Sequence, residues 1–360
     1  MSGGSVPRRG RAEGAGRHSV SSAQVVEEER AARRSGVLLR VRELGIVLAL
    51  VVLVVVTAVV NPRFVSAQSL RDLALGAAVL VVLAVGQTVV VITRNIDLSV
   101  GSVLGLSAYA TGSLLQAAPG LPVVVALLVG CAVGAACGLV NGALVRFGNV
   151  PALVVTLGTL NVYRGLCFFW AGGQQINADE LPASFLGFGT ATVLGVPWLL
   201  VIAVVVVLVA GFVLHSYRSG RELYAMGSNP QAAVLAGIPV GRRTLAAFLV
   251  SGALAGLAGV LFAARFGTVD AGSGTGYELD VVAAVVVGGV AVFGGSGTAY
   301  GAAIGALLLT TIGSALPVLA VDPFWQKAIV GALILVAIGT DRVVADRVAA
   351  HLRRREAHHG

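Results

Sequence analysis

Long apolar runs alternate with short polar breaks along most of this chain. Each run is close to the ~20 residues that a helix needs to cross a bilayer. The runs predict about ten spans, near residues 44–60, 73–92, 98–117, 121–145, 152–171, 197–215, 244–264, 279–293, 299–316 and 325–340. The pattern therefore predicts an all-α integral membrane protein with a transmembrane domain over residues 44–341.

Both ends of the chain are polar and basic. Residues 1–43 are rich in Gly, Ser, Arg and Glu and predict a disordered cytoplasmic arm, and residues 342–360 predict a basic cytoplasmic tail. The apolar run at 44–60 is longer than the core of a typical signal peptide and starts late, so it predicts an uncleaved first span.

Composition supports a membrane protein. Hydrophobic residues make up 57% of the chain and charged residues 12%, whereas a soluble domain carries roughly 25% charged residues. The net charge of +8 comes from arginines in the tails and short loops, a distribution that sets orientation in a membrane rather than nucleic-acid binding. With an even number of spans and both termini in the cytoplasm, most of these arginines are predicted to lie on the cytoplasmic side. They include Arg94, Arg146, Arg218, Arg221, Arg242 and Arg243.

No motif for catalysis, metal binding or a cofactor is present in the sequence. The three cysteines lie in apolar segments, and most histidines lie in the tails. A phosphate-binding loop requires a Gly-Lys-Ser/Thr step, and the only lysine, Lys327, has no such context. We therefore predict a non-catalytic protein with neither a metal nor a cofactor.

Two stretches hint at an internal repeat. Residues 85–106 read VGQTVVVITRNIDLSVGSVLGL and residues 287–308 read VGGVAVFGGSGTAYGAAIGALL. Each is a Val-rich run, a break, and a helix of small residues. Five spans per half would make the two halves inverted, as in many transporters, although chance similarity in Val-, Ala- and Gly-rich sequence is a competing explanation.

The break at residues 93–105 carries the most informative polar residues. Asn95, Asp97 and Ser99 lie between two apolar runs, and polar groups at membrane depth are expected to face protein or a water-filled cavity. One interpretation is a broken helix beside a solute pathway. The other is a short cytoplasmic turn in which Asp97 caps the next helix.

Two further residues are candidates for the same pathway. Glu278 lies in GSGTGYELD at residues 272–280, where it either binds solute hydroxyls or is a first-turn acid favoured by the helix dipole. Thr156 lies in the apolar run at 152–171, which also carries several scattered polar residues. Hydroxyl-directed hydrogen bonds of this kind suit a sugar.

The loop at residues 216–243 is predicted to lie inside the cell. Its 28 residues exceed the usual connection of ~2–8 residues. Asn229 followed by Pro230 signals a helix start, and a short helix over 231–236 would end at Gly237. Such a helix suits docking into a groove of another protein, and a mere connector is the alternative.

Five segments together resemble the permeases of ribose-type sugar importers of the ATP-binding-cassette (ABC) class. They read DLSVGSVLGL from residue 97, PALVVTLGTLNVYRG from 151, GRELYAMGSNPQAAVLAG from 220, GTGYEL from 274 and GGVAVFGGSGTAYGAAIG from 288. Segments 92–101 and 163–182 look most like the rhamnose and autoinducer-2 permeases.

The resemblance implies an inner-membrane importer of a pentose, a deoxyhexose or an autoinducer-2-like sugar. Two ATP-binding-cassette subunits, a second permease copy or sister, and an extracytoplasmic solute-binding protein would be its partners. Asn229, Ala232, Ala233 and Gly237 match the family's coupling segment, which contacts the ATPase. Asn95, Asp97, Ser99, Thr156 and Glu278 are the pathway candidates from the residues above.

Three other functions remain open from the residues alone. A secondary transporter would use an ion gradient, but few carboxylates lie in the apolar runs. A branched-chain amino-acid importer permease is a related group. A membrane receptor or scaffold that moves no solute would lack polar groups running through the membrane.

Overall fold

A computed structural model describes residues 44–322, 324–336 and 339. Its helices are α1 Leu44–Val60, α2 Ala67–Val91, α3 Val100–Ala117, α4 Val123–Gly148, α5 Ala152–Ala171, α6 Ala183–Thr190, α7 Trp198–Ser216, α8 Arg218–Ser228, α9 Pro230–Leu235, α10 Val240–Phe266, α11 Tyr277–Val287, α12 Ala299–Val318 and α13 Trp325–Val336. A short antiparallel hairpin connects α6 to α7, and its two strands, β1 Thr192–Val193 and β2 Val196–Pro197, have two residues each.

The predicted all-α class agrees with this architecture. Within the described residues, six helices are long and apolar enough to cross a membrane, namely α2, α4, α5, α7, α10 and α12, whereas α1 and α13 are apolar but shorter. The predicted tails at 1–43 and 342–360 lie outside the described residues.

One predicted span is wrong in its second half. The apolar run at 279–293 forms the 11-residue helix α11, which ends at Val287. Gly288 caps it and Gly289 has a φ of 92°, a left-handed conformation that glycine adopts at little cost and that ends a helix.

Helix α2 lies at the centre of the fold. Its residues from Ala77 to Val91 are all buried, as expected for a helix that is apolar on every side. Helices α7, α10, α11 and α12 pack around it.

Helices α4 and α10 pack along a seam of glycines. Gly134 of α4 is so close to Gly252 and Gly256 of α10 that an added Cβ would collide with their backbone atoms, and Gly138 has the same relation to Phe248 and Gly252. Small residues four apart allow such close approach between membrane helices. We call this contact the glycine seam.

Two non-helical stretches interrupt the helices and meet inside the fold. The first break, residues 92–99, joins α2 to α3, and the second break, residues 288–298, joins α11 to α12. The Gly295 N–H donates to the Ile92 carbonyl over 2.9 Å. The two breaks therefore contact each other through the main chain, and the inverted repeat stays a prediction.

Candidate functional site

A buried hydrogen-bond network surrounds Asp97 in the first break. One Asp97 carboxylate oxygen accepts from the Ser99 backbone N–H at 2.9 Å and from the Ser99 hydroxyl at 2.7 Å. Asp97 is 1% exposed and Ser99 is fully buried. The carboxylate therefore holds the turn that starts α3 while facing protein rather than open water.

The network continues into helices that are distant in sequence. The Asn141 amide of α4 donates to the Ser99 hydroxyl at 2.8 Å, and the Tyr163 hydroxyl of α5 donates to the Asn141 side-chain oxygen at 3.1 Å or the Cys137 carbonyl at 2.9 Å. Gln87 of α2, with its amide oriented to satisfy both partners, bonds the Asp97 backbone N–H and carbonyl at 3.2 and 3.1 Å. The first break is thus tied to three surrounding helices.

The predicted pathway residues divide into two groups around this network. The Thr156 hydroxyl donates to the Ile96 carbonyl at 3.2 Å, so it joins Asp97 and Ser99 at the first break. Asn95 instead donates to the Thr93 hydroxyl at 2.9 Å and carbonyl at 3.1 Å. The segment is non-helical over residues 92–99, and Ser99 rather than Asp97 is the N-cap of α3, without a side-chain cap hydrogen bond. The Asp97 carboxylate accepts from the Ser99 N–H in the turn before the helix, and a solute pathway beside this break stays a prediction.

Glu278 forms a second polar group beside α3, next to Gly101, which lies two residues after Ser99. It lies in the first turn of α11 and accepts from the Gly276 N–H at 3.1–3.2 Å, as a first-turn acid does. A Cβ on Gly101 would collide with Glu278 and the Gly274 carbonyl. Glu278 therefore packs directly against the start of α3.

Arg164 of α5 holds the loop that carries Glu278. Its guanidinium donates to the Ala271 carbonyl at 2.9 Å and the Ser273 carbonyl at 2.6 Å. Gly105 leaves room on α3 for both Arg164 and Ser273. Arg164 and Glu278 thus lie on the same side of α3.

Several buried hydroxyls on α3 and α10 have no hydrogen-bond partner among the described residues. They are Ser102, Ser107 and Thr111 of α3 and Ser251 of α10. Buried polar side chains are usually paired. Sequence reasoning missed these residues, because single hydroxyls in apolar runs resemble ordinary helix-packing positions.

The short helix predicted over 231–236 is present as α9, Pro230–Leu235, and its docking role stays a prediction. Asn229 caps its start by accepting from the Ala232 N–H at 3.0 Å, and Gly237 follows its end with a φ of 76°. Ala232 is exposed and Ala233 is buried. Sequence reasoning missed Val234 and Leu235, which are 61% and 89% exposed and form an apolar tip.

Arg94 connects the first break to the end of α8, immediately before α9. Its guanidinium donates to the Gly227 carbonyl and, over 2.6 Å, to the Ser228 carbonyl. Gly227 in turn lies against the Ile92 carbonyl, and Gly295 of the second break lies against Ser228. We call the contact of these three segments the junction.

An ion-pair bridge fixes α8 to the start of α10. Glu222 bonds Arg218 Nε at 2.8 Å and Arg243 Nε at 2.6 Å. Hydrogen bonds from Arg218 and then Arg243 lower the pKa of Glu222 below its ordinary value of 4.5. The carboxylate therefore stays charged and holds together the two helices on either side of α9.

The chain is similar to known permeases over most of its length. The family described as branched-chain amino acid transport system / permease component matches residues 69–338. Among curated proteins, the autoinducer 2 import system permease proteins of Enterobacter sp. strain 638, Escherichia coli K12 and Salmonella paratyphi B are 38%, 36% and 37% identical to it. Each alignment covers 88% of this chain and 90–91% of the relative. No solved structure gives a significant match.

Proposed function

Because this chain belongs to the permease family of ABC importers, in its ribose-type group, we propose that it forms the solute path of a sugar importer driven by a separate ATPase. It is a multi-pass protein of the inner membrane. In the proposal, a pair of permease subunits, this chain with a second copy or a sister, binds two ATPase subunits. About ten spans place both termini in the cytoplasm.

The observation that carries the proposal is the apolar tip of α9. Val234 and Leu235 project from a capped helix that belongs to no candidate membrane span. Exposed apolar groups on such a helix suit a groove on a partner protein. Membership of this family implies that the partner is the ATPase. Asn229 and Gly237 set the two ends of the helix, and Ala232 lies on its exposed surface.

The junction gives this docking helix a direct connection to the two breaks. Arg94 bonds the end of α8, and the second break bonds the first through Gly295 and Ile92. A displacement of α9 by the ATPase would therefore reach Asp97 and Ser99 through three or four residues. We propose that ATP-driven movement opens and closes the path at these breaks.

The proposed solute is a small polyhydroxylated sugar of the autoinducer-2, rhamnose or ribose type, delivered by a solute-binding protein. The named relatives are autoinducer 2 import permeases. The unpaired hydroxyls of α3, together with Asp97, Ser99, Thr156 and Glu278, offer donors and acceptors of the kind that bind sugar hydroxyls. Asn95, Asp97 and Ser99 are already hydrogen-bonded within the protein, so they would contribute after the first break moves.

The test compares two exposed leucines at different ends of the fold. Leu235→Asp places a charge on the α9 tip, and Leu194→Asp places one on the hairpin between α6 and α7, where Leu194 is 99% exposed. The permease is reconstituted in liposomes with its ATPase and binding protein. We expect Leu235→Asp to lose ATPase binding and uptake, and Leu194→Asp to retain ATPase binding.

Three results would contradict parts of the proposal. Full ATPase binding by Leu235→Asp would remove α9 as the docking helix. Uptake by the wild-type permease without any ATPase would make it an ion-coupled transporter. The name of the matching family also raises branched-chain amino acids, so competition of uptake by leucine rather than by autoinducer-2, rhamnose or ribose would replace the sugar as the proposed solute.

A further inference from the structure

A groove of about 400 Å³ lies between α7 and α10, apart from the polar network and the docking helix. Its long walls are apolar and come from Val205, Val206, Val209, Ala210 and Val213 on one side and Ala246, Ala247, Val250 and Leu254 on the other. Val89 of α2 lies in its lining. The volume falls within the ~300–1,000 Å³ of small-molecule sites.

The groove opens sideways along helices that have the length and composition of membrane spans. Val209 is 57% exposed and Val205 is 51% exposed even though both line the groove. From Val205 to Val213 the wall extends for ~12 Å at the α-helical rise. A slot of this shape and polarity suits a single hydrocarbon chain lying along the helices.

One end of the groove has the properties of an anion site. Ser219, Gly220 and Arg243 line it there, and Ser219 and Gly220 belong to the first turn of α8. No side chain caps this 11-residue helix at its start, so its first N–H groups remain available to a negative charge.

The charge around this end is positive. Arg218 starts α8 and Arg243 lies in the first turn of α10, and the Glu222 carboxylate bonds both of them. Two arginines against this one carboxylate leave a net positive charge beside the apolar slot.

We propose that the groove binds one anionic phospholipid, with an acyl chain between α7 and α10 and the phosphate at the start of α8 beside Arg218 and Arg243. Basic pockets between membrane helices on the cytoplasmic side bind anionic headgroups. The site touches α8, which carries both the Glu222 bridge and the junction. The bound lipid would therefore hold α8 against the membrane helices, independently of which solute is transported.

Native mass spectrometry of the purified permease tests the site, with phosphatidylglycerol and phosphatidylcholine of identical chains as probes. Val209→Trp fills the groove, and Val204→Trp is the matched control, since Val204 is an exposed residue of α7 outside the groove lining. We expect Val209→Trp to weaken phosphatidylglycerol binding by about tenfold because the acyl chain loses buried methylene contacts. Val204→Trp should change it less than twofold.

Arg218→Gln tests the headgroup separately, with Arg242→Gln as the control for loss of charge. We expect Arg218→Gln to reduce the preference for phosphatidylglycerol over phosphatidylcholine while Arg242→Gln keeps it. Equal binding of the two lipids by the wild type would overturn the headgroup assignment. Unchanged binding in Val209→Trp, or a dimer cross-link through position 209 in liposomes, would overturn the lipid as the occupant of the groove.

Discussion

Replacement of the Arg94 guanidinium by a neutral group should uncouple ATP hydrolysis from transport while leaving the complex assembled. Arg94 contacts the carbonyls of Gly227 and Ser228 but belongs neither to the α9 tip nor to the network around Asp97. In Arg94→Gln the first break loses its charged hydrogen bonds to the end of α8. Movement of α9 should then no longer reach the break.

The size of the effect follows from these two bonds. A hydrogen bond to a charged group contributes ~1.5–3 kcal/mol when shielded from water. One of the two Arg94 bonds is partly buried and the other is exposed, so the exposed bond contributes little and the pair together about 2 kcal/mol. A coupling free energy of that size corresponds to about a 30-fold change.

The assay is solute uptake per ATP hydrolysed in liposomes that contain the permease, its ATPase and its binding protein. We expect the ratio to fall 10- to 30-fold in Arg94→Gln, a range set by the ~2 kcal/mol of the link. Arg242→Gln, which loses the same charge outside the junction, should keep the ratio. ATPase binding should stay normal in both variants.

A second variant separates coupling from folding. Arg94 has a φ of 66°, a conformation that costs a residue other than glycine roughly 1–2 kcal/mol. Arg94→Gly removes that strain together with the guanidinium, so it should fold at least as well as Arg94→Gln and still be uncoupled. Wild-type uptake per ATP in Arg94→Gly would refute the role of the guanidinium at the junction.

Two further predictions concern the buried network and the α8–α10 bridge. Asp97→Ala leaves the Ser99 N–H and hydroxyl without their acceptor, so it should destabilise the permease by about 1–3 kcal/mol and lower its thermal unfolding temperature. Asp179→Ala, at an exposed position, is the control and should leave the unfolding temperature unchanged. Equal unfolding temperatures for the two variants would contradict the buried pairing of Asp97. The lowered pKa of Glu222 means that its contribution to stability is present above its ordinary value of 4.5 and is lost as the pH falls through the lowered pKa. Acidification should therefore lower the hydrogen-exchange protection factors of α8 in the wild type, once the intrinsic pH dependence of exchange is divided out. In Glu222→Gln these protection factors should be lowered already at pH 7 and change little with acid.

Hydropathy predicted most of the helices because an apolar run long enough to span a bilayer has few alternatives to a helix. It failed where a run continued past the end of a helix. In the run 279–293 the valines on both sides of Gly288 and Gly289 carry the same hydropathy signal. Only the left-handed backbone at Gly289 ends α11 there, and a hydropathy average does not detect it.

The polar site was predictable in part, for a related reason. Asp97 and Ser99 stand in an obvious break, and the cost of polar groups at membrane depth identified them. Their partners Gln87, Asn141 and Tyr163 lie inside three other apolar runs, so their pairing depended on which helices pack together. The exposed tip of α9 had a different obstacle, since a helix of six residues is too short for periodicity to assign its outer face.

The glycine seam has a consequence for any measurement of motion in this protein. The backbones of α4 and α10 touch at successive turns, through Gly134 and Gly138 against Gly252 and Gly256. A slide of one residue, ~1.5 Å, would bring side chains against those carbonyls. The two helices should therefore move as one rigid body, and spectroscopic labels on them would keep a constant separation through the transport cycle. That constant distance can serve as the reference against which the displacement of every other helix is measured.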